Sequence, residues 1–397
     1  MPDIAAQVNA WVDDNWDTSL TLREWWARLA AAGYSQPAWP QGIGGCNASG
    51  ATARTISETL GARGVIAAPT GMGPHMAAPM IMQHGTEAQK AELVKIATGE
   101  QHWCQLFSEP EAGSDLASVR SKAVRDGDEY VVNGQKVWNS GADAADRGML
   151  LARTDFEAQK HAGLSFILID MAQPGVEVRP LVTMNGSAHF CEVFLTDART
   201  PTHQLVGTEG GGWAVATTVL GLERKMAASG SARGALTVVG GAKSGNLDRT
   251  CGELFEMAAA KAKEKPQAMI SSSRVLIKEA QKAGVHTDPV LRDDLARYHI
   301  RSEVYRLTNL RARQTGGSGP EASIAKIALS GMARHSRDLG LRILGAGGML
   351  VGNDSASGGA LQYAALSTGG VSIGGGTDEI QHNVIGERAL GLPKEPS

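Results

Sequence analysis

Three carboxylates in this sequence sit where their surroundings suggest chemistry. Glu223 lies in a helical stretch from Trp213 to Arg233 whose core stripe reads Val215, Val219, Leu222 and Met226. The face that carries it, Leu220, Glu223, Ala227, Gly230 and Gly234, is small and almost uncharged. Neither Lys nor Arg stands three or four residues away, so the usual intrahelical ion pair is not available to it. A carboxylate on such a face leaves room for a flat ligand and is partly desolvated, which suits a general base. The ordinary alternative is a solvated helix residue. Asp378 and Glu379 are the competitors. Thr377 reads as an N-cap, which places both in a first helical turn, where acidic side chains commonly do no more than stabilise the helix dipole. The ten histidines show no HxxxH or HExxH spacing, so no metal centre is expected.

Two further segments could grip a ligand. Ser108-Glu109-Pro110-Glu111-Ala112-Gly113-Ser114-Asp115 reads as a turn exposing backbone amides beside small side chains, suited to an anion or the polar edge of a heterocycle. Its plainer reading is a β-turn capped by Ser114 and Asp115. Asn133-Gly134-Gln135-Lys136-Val137-Trp138-Asn139-Ser140-Gly141 reads as a tight hairpin that brings an aromatic ring and a hydroxyl onto one strand. Trp138 is either a wall for a flat ligand or core packing.

The elements that must position these residues follow from periodicity. Residues 1–103 carry apolar positions at helical spacing, from Val8, Trp11, Leu22, Trp25, Trp26 and Leu29 to Leu93, Val94 and Ile96, and predict an α-helical domain. Residues 104–210 change to short β-branched runs such as Tyr130-Val131-Val132 and Phe166-Ile167-Leu168-Ile169. Asp126-Gly127-Asp128 and Asn133-Gly134 punctuate them, predicting an antiparallel β-domain. Residues 211–397 return to long helical periods, broken at Ser244-Gly245-Asn246, at His286 to Pro289 and at Gly316 to Pro320, and predict a C-terminal four-helix-type bundle. The fold class expected is α+β.

Composition narrows the partners. At 397 residues, 42% hydrophobic, 20% charged and a net charge of -3, the chain builds large cores and presents no basic field for nucleic acid or an anionic membrane. Four dispersed cysteines without a CxxC pair suit a reducing cytoplasm, and no run of signal-peptide or membrane-spanning length is expected.

The helical, β, helical order, the two binding segments, Glu192-Val193-Phe194-Leu195-Thr196-Asp197 and Glu387-Arg388-Ala389-Leu390-Gly391-Leu392-Pro393 together resemble the acyl-CoA dehydrogenase family over nearly the whole chain. The resemblance implies FAD between the β-domain and the C-terminal bundle, completed by a neighbouring subunit in a homo-oligomer, a dimer of dimers. It implies that Phe107, Ser108, Gly113, Ser114, Trp138 and Ser140 line the isoalloxazine, and that Thr377 and Gln381 contact FAD from the C-terminal side. Leu341 to Gly348, with Arg342 and Gly345, resembles the turn that receives the adenosine half; Arg342 stands where a glutamine often meets the cofactor, and no Phe-Gly follows Arg274. By the same resemblance, Ser114, Arg224 and Gly375 are expected at substrate-facing positions. The implied reaction is α,β-dehydrogenation of an acyl-CoA, with electrons passed to an electron-transfer flavoprotein. Such chemistry needs donors at the thioester carbonyl and a desolvated glutamate.

Gly374-Gly375-Gly376-Thr377 resembles the turn in which a Glu-Gly-Thr tripeptide commonly supplies that base, yet here glycine replaces the glutamate. In the isovaleryl-CoA and long-chain branches, and in some bacterial sterol side-chain enzymes, the base comes from the helix after the β-domain in a context like Leu222-Glu223-Arg224. Glu223 is therefore the expected catalytic residue and Glu379 the second choice. Two alternatives accompany this reading: a non-catalytic subunit of a hetero-oligomeric acyl-CoA dehydrogenase, and a flavin monooxygenase on the same fold.

Overall fold

Tryptophans at helical spacing organise the N-terminal region. Thr21 and Glu24 close a reciprocal capping box at the start of α2 (Leu22–Ala31), and Leu22, Trp25, Trp26 and Leu29 all point inward. Burying each indole is worth roughly 4–6 kcal/mol before entropy is counted. Both indole N–H groups keep a partner, the carbonyls of Ile66 and Ala67 at 2.8 Å, so neither ring carries an unsatisfied donor inward. α1 (Ile4–Asn15), capped by Asp3, and α3 (Gly50–Ala62) share this core, and α4 (Ala78–His84) and the short α5 (Glu87–Ala91) and α6 (Val94–Ala97) follow in the chain.

The chain is described here from a computed structural model covering residues 3–229, 236–261, 270–314, 320–350 and 354–394. The expected helix end at Gly230 to Arg233, Gly234, and the break at Gly316 to Gly319 lie outside the described residues.

Eight strands follow: β1 (Trp103–Leu106), β2 (Lys122–Asp126), β3 (Glu129–Ser140), β4 (Arg147–Arg153), β5 (Leu164–Asp170), β6 (Val176–Leu181), β7 (Phe190–Pro201) and β8 (Leu205–Val206). They form one sheet in the order β6-β7-β3-β2-β4-β5-β8, with β1 on β4. Most pairings are antiparallel, as the alternation predicts, but β1 joins β4 in parallel and β2 meets β4 in parallel at Lys122 and Arg153, so the sheet is mixed. β4 and β5 are buried almost throughout their length, which is why they read as continuous apolar runs.

The hairpin expected at Asn133-Gly134 is not a turn. The hairpin is made by Asp126 to Glu129 between β2 and β3, and Asn133-Gly134 lies inside the twelve residues of β3 at a bulge against β7. Gly134 has φ +156°, and a Cβ there would come within 2.2 Å of Ser121 Oγ. The glycine marks a close approach of two backbones.

After the sheet come α7 (Gly212–Ser229), α8 (Cys251–Lys261), α9 (Ser273–Lys282), α10 (Pro289–Gln314), α11 (Glu321–Leu344), α12 (Ala360–Ile373) and α13 (Asp378–Val384). Contacts divide the chain into two units: Met1–Thr183 with Ser187–Glu223 and Gly230–Lys261, and Met184–Gly186 with Arg224–Ser229 and Ala262–Ser397. In the first, Cys251 and Leu254 of α8 join the tryptophan core. In the second, Leu276 and Ala280, Leu291 and Tyr298, Leu339 and Ile343, and Leu361 pack four helices, α9 to α12, on one another. The class is α+β, helices together with a mixed sheet.

Candidate active site

β1 and β3 converge on the turn that follows β1. Phe107 is buried, edge-on to Phe166 at 5.7 Å, while Ser108 is half-buried and its carbonyl accepts from Val137 N at 2.9 Å. Glu109 and Ala112 exchange backbone hydrogen bonds of 3.0 and 3.1 Å, which closes the turn and leaves Gly113 and Ser114 exposed. Asp115 takes Ser118 Oγ and Lys160 Nζ, both at 2.6 Å, and its side chain makes no capping bond.

Beneath the turn lies a fully buried ammonium that the sequence reading did not single out. Lys136 Nζ donates to Glu109 Oε1 at 2.8 Å, to Phe107 O at 3.0 Å and to Leu151 O at 2.7 Å. Burial pushes the Lys136 ammonium down to about 8. Burial works against the charge of Glu109 as well, but Lys136 and the amides of Ser121 and Arg120 outweigh it and hold the carboxyl below its ordinary range.

Trp138 follows two residues later in a conformation rare for a bulky side chain. Its φ is +64°, the pairing with β7 slips between Lys136 and Asn139, and 55% of the residue is exposed, with Phe190 edge-on at 5.6 Å. The core-packing reading of Trp138 is therefore overturned: the bulge turns the ring outward. Left-handed backbone at a non-glycine residue costs of order 1 kcal/mol and marks functional sites. Asn139, by contrast, is buried. Its Nδ2 donates to Gln105 O at 2.7 Å, and its Oδ1 has no partner among the described residues. Ser140 is half-buried opposite Phe190.

Glu223 meets this assembly from α7. Val215, Ala216 and Val219 anchor the helix, whereas the expected stripe residues Leu222 and Met226 are half-buried. Glu223 is itself half-buried, and Gln105 Nε2, on β1, lies 3.5 Å from its Oε2. The carboxylate thus stands beside the strand that leads into Phe107 and Ser108, and Asn139 pins the same strand. Such hydrogen bonds are often long without substrate and tighten when it binds. Gln105 and Asn139 were missed because a polar residue in a short strand gives no local sign of what faces it.

The remaining candidates belong to the second unit. Gly375 is exposed with φ +68° and open space around its missing Cβ. Thr377 caps α13 as expected, accepting from Ile380 N at 3.2 Å. Gln381 is fully buried under the turn; its Nε2 donates to Gly375 O at 3.0 Å and its Oε1 has no partner among the described residues. Asp378 does more than face a helix dipole, since Lys326 Nζ at 2.8 Å and Arg334 Nη1 at 2.9 Å bind its two oxygens. Glu379 is exposed, and its own backbone amide and Thr377 hold its carboxyl below the ordinary range. Arg342 is ion-paired to Asp294, and Gly345 ends α11. Arg224 is half-buried and Arg274 exposed.

Among the described residues no group of His, Cys, Asp and Glu could hold a metal, and no helix is long and apolar enough to cross a membrane. The chain matches the acyl-CoA dehydrogenase N-terminal domain over residues 3–100, the middle domain over 104–198 and the C-terminal domain over 257–390. It is 32% identical over 416 aligned positions to acyl-CoA dehydrogenase IpdE1 of Mycobacterium tuberculosis, covering 99% of this chain and 98% of that protein. Among solved structures, the Tcur3481-Tcur3483 steroid ACAD aligns with a TM-score of 0.70 at 26% identity, covering 99% of this chain and 96% of the other. The ChsE4-ChsE5 complex from Mycobacterium tuberculosis aligns with 0.66 at 27%, covering 100% and 99%. With three successive domains matched in order and a relative aligned end to end, the chain belongs to the acyl-CoA dehydrogenase family of flavin-linked oxidoreductases.

Proposed function

We propose that this chain carries out FAD-dependent α,β-dehydrogenation of an acyl-CoA, with Glu223 as the base, and passes the electrons to an electron-transfer flavoprotein. The observation that carries the reading is the approach of Glu223 to Gln105, which sets a carboxylate beside β1 and its following turn. An exposed tryptophan face, two half-buried hydroxyls at Ser108 and Ser140 and a buried acceptor without a partner fit a flat heterocycle with a polar edge. Phe107, Ser108, Gly113, Ser114, Trp138 and Ser140 would hold the ring system. Thr377, Gln381, Gly345 and Arg342 would serve the rest of FAD. When bound, FAD supplies the hydride acceptor.

The protein's own task is the proton. Glu223 takes it from the carbon next to the thioester carbonyl, and Gln105 holds the carboxylate on the β1 side. Ser114, Arg224 and Gly375 orient the acyl-CoA. The site works in the cytoplasm in a homo-oligomer, and four free thiols accord with a reducing compartment.

The test is anaerobic mixing of the purified flavoprotein with a panel of acyl-CoAs. Bleaching of the flavin is expected with at least one thioester and not with free CoA. A yellow protein that no acyl-CoA bleaches, alone or with a partner chain, would refute the assignment. A second reading, a subunit that functions only with a different chain, is favoured by the two-chain composition in the titles of the two structural relatives. Colourless protein that becomes yellow only on co-expression with a paralogue would support it.

A further inference from the structure

We propose that the buried Lys136–Glu109 pair is a positioning brace, one that fixes the Phe107-Ser108-Glu109 turn in its flavin-receiving shape before flavin arrives. The proposal rests on the flavoprotein reading of the site. Three observations carry it. Lys136 is fully buried yet spends all three of its N–H donors on one region: Glu109 Oε1, Phe107 O and Leu151 O, at 2.8, 3.0 and 2.7 Å. Glu109 spends its oxygens likewise, accepting from Lys136, from Ser121 N at 2.9 Å and from Arg120 N at 2.7 Å. Val137, the residue after Lys136, donates to Ser108 O at 2.9 Å. Phe107, Ser108 and Glu109 are thus each tied to β3, and Glu109 also to the segment leading into β2, while Lys136 is itself anchored to β4.

The location makes this more than a device for folding. A buried ion pair is a poor way to gain stability, because desolvation costs about as much as the attraction returns, and an apolar pair of equal volume commonly does as well. What such a pair provides is direction: the Lys136 ammonium accepts only one placement of the Phe107 and Leu151 carbonyls. A carbonyl bound to an ammonium also polarises its peptide, so the Phe107–Ser108 amide becomes a stronger donor. Two residues further along β3, the backbone enters the left-handed bulge that turns Trp138 outward. Lys136 is the fixed point from which both the turn and the tryptophan are set.

A merely structural pair and a positioning pair part company in the double variant. Lys136→Met and Glu109→Gln alone each leave a buried group without its counter-charge and are expected to lose stability and flavin together. Lys136→Met with Glu109→Gln removes both charges and is expected to regain folding, seen in near-ultraviolet circular dichroism. Its flavin Kd should stay raised by about tenfold or more, and the visible bands of bound flavin should be shifted from wild type. A double variant with wild-type Kd and spectrum would overturn the proposal.

The unaltered protein gives a test independent of variant folding. In apoprotein the amides of Arg120, Ser121 and Val137 should exchange as slowly as in holoprotein, within about threefold. Protection that arises only on adding FAD would overturn the brace while leaving the flavoprotein reading intact. Wild-type protein that binds no flavin at all would overturn that reading and the proposal with it.

Discussion

Replacing Asp378 by Asn tests how the triple-glycine turn is held. Asp378 opens α13 with its side chain 13% exposed, and Lys326 and Arg334 bind its two oxygens at 2.8 and 2.9 Å. The same two cations reach across to Ser372, Lys326 Nζ to its carbonyl and Arg334 Nη1 to its hydroxyl, each at 2.8 Å. The ends of Gly374-Gly375-Gly376 are thereby clamped together. Burial alone would raise the Asp378 carboxyl, but the hydrogen bonds from Lys326, Arg334 and Ser330 overcome it and hold the group near 2, against an ordinary 3.8. That gap corresponds to roughly 2 kcal/mol of preference for the ionised form. Arg334 is 45% exposed and screened by water, so about 1–2 kcal/mol is the expected local loss in Asp378→Asn. The folded-state carboxyl is the stronger acid. Its contribution is therefore complete above pH 3.8 and disappears as pH falls towards 2. Hydrogen exchange of peptides spanning Gly374 to Val384 reads this locally, through Ile380 N and Gln381 N on Thr377 and Gly374 N on Gly370. At neutral pH the variant should exchange about fivefold to thirtyfold faster there. The wild type should lose its advantage between pH 4 and pH 2, where the variant shows no matching change. Exchange within about twofold of wild type at neutral pH would refute the clamp.

Other substitutions separate chemistry, cofactor binding and folding. Glu223→Gln keeps shape and hydrogen bonding, so flavin should be retained while its anaerobic reduction by acyl-CoA slows by about 100-fold or more; unchanged reduction kinetics would remove Glu223 from its role. Trp138→Gly relieves a left-handed tryptophan and deletes an exposed ring, so the melting temperature should hold or rise while flavin Kd increases about tenfold. A simple fall in stability with flavin affinity intact would contradict the ligand-wall assignment. Gly134→Ala forces a methyl to within 2.2 Å of Ser121 Oγ, and thermal unfolding should show a loss of about 2 kcal/mol or more. An unaltered melting temperature would mean that β3 and the Ser121 backbone can separate freely.

The parts of the molecule legible in its sequence are those where local pattern and tertiary packing agree. Leu22, Trp25, Trp26 and Leu29 announce α2 and its buried face, and Phe166 to Ile169 announce a fully buried strand. Asn133-Gly134 misleads because turn propensity is local, whereas the bulge there is set by the approach of Ser121, thirteen residues before Gly134. Lys136 escapes notice because charged residues are rarely buried. Only the folded turn brings Glu109 to it. Trp138 could not be resolved between core and surface, since a slip of register in one strand pair decides which way it faces. Asp378 reads as a helix-dipole residue because its partners come from α11, some fifty residues earlier.

The carboxylate itself shows how local geometry and composition combine. Position 375 has open space for a side chain, so size does not exclude a glutamate there, but with φ +68° any residue other than glycine would carry about 1–2 kcal/mol of strain. Helix α7 imposes no such cost at position 223. Val215, Ala216 and Val219 seat it, and one turn beyond Val219 the same face delivers a half-buried carboxylate to Gln105 on β1. Asn139 then fixes the backbone of Gln105, and Lys136 fixes the turn that β1 enters. A base placed this way depends on two contacts to one strand and one to the turn that follows it, and not on the triple-glycine turn. Substitution of Gln105 by Leu should accordingly slow flavin reduction without weakening flavin binding, whereas equal losses in both would mean that Gln105 supports the strand and not the carboxylate.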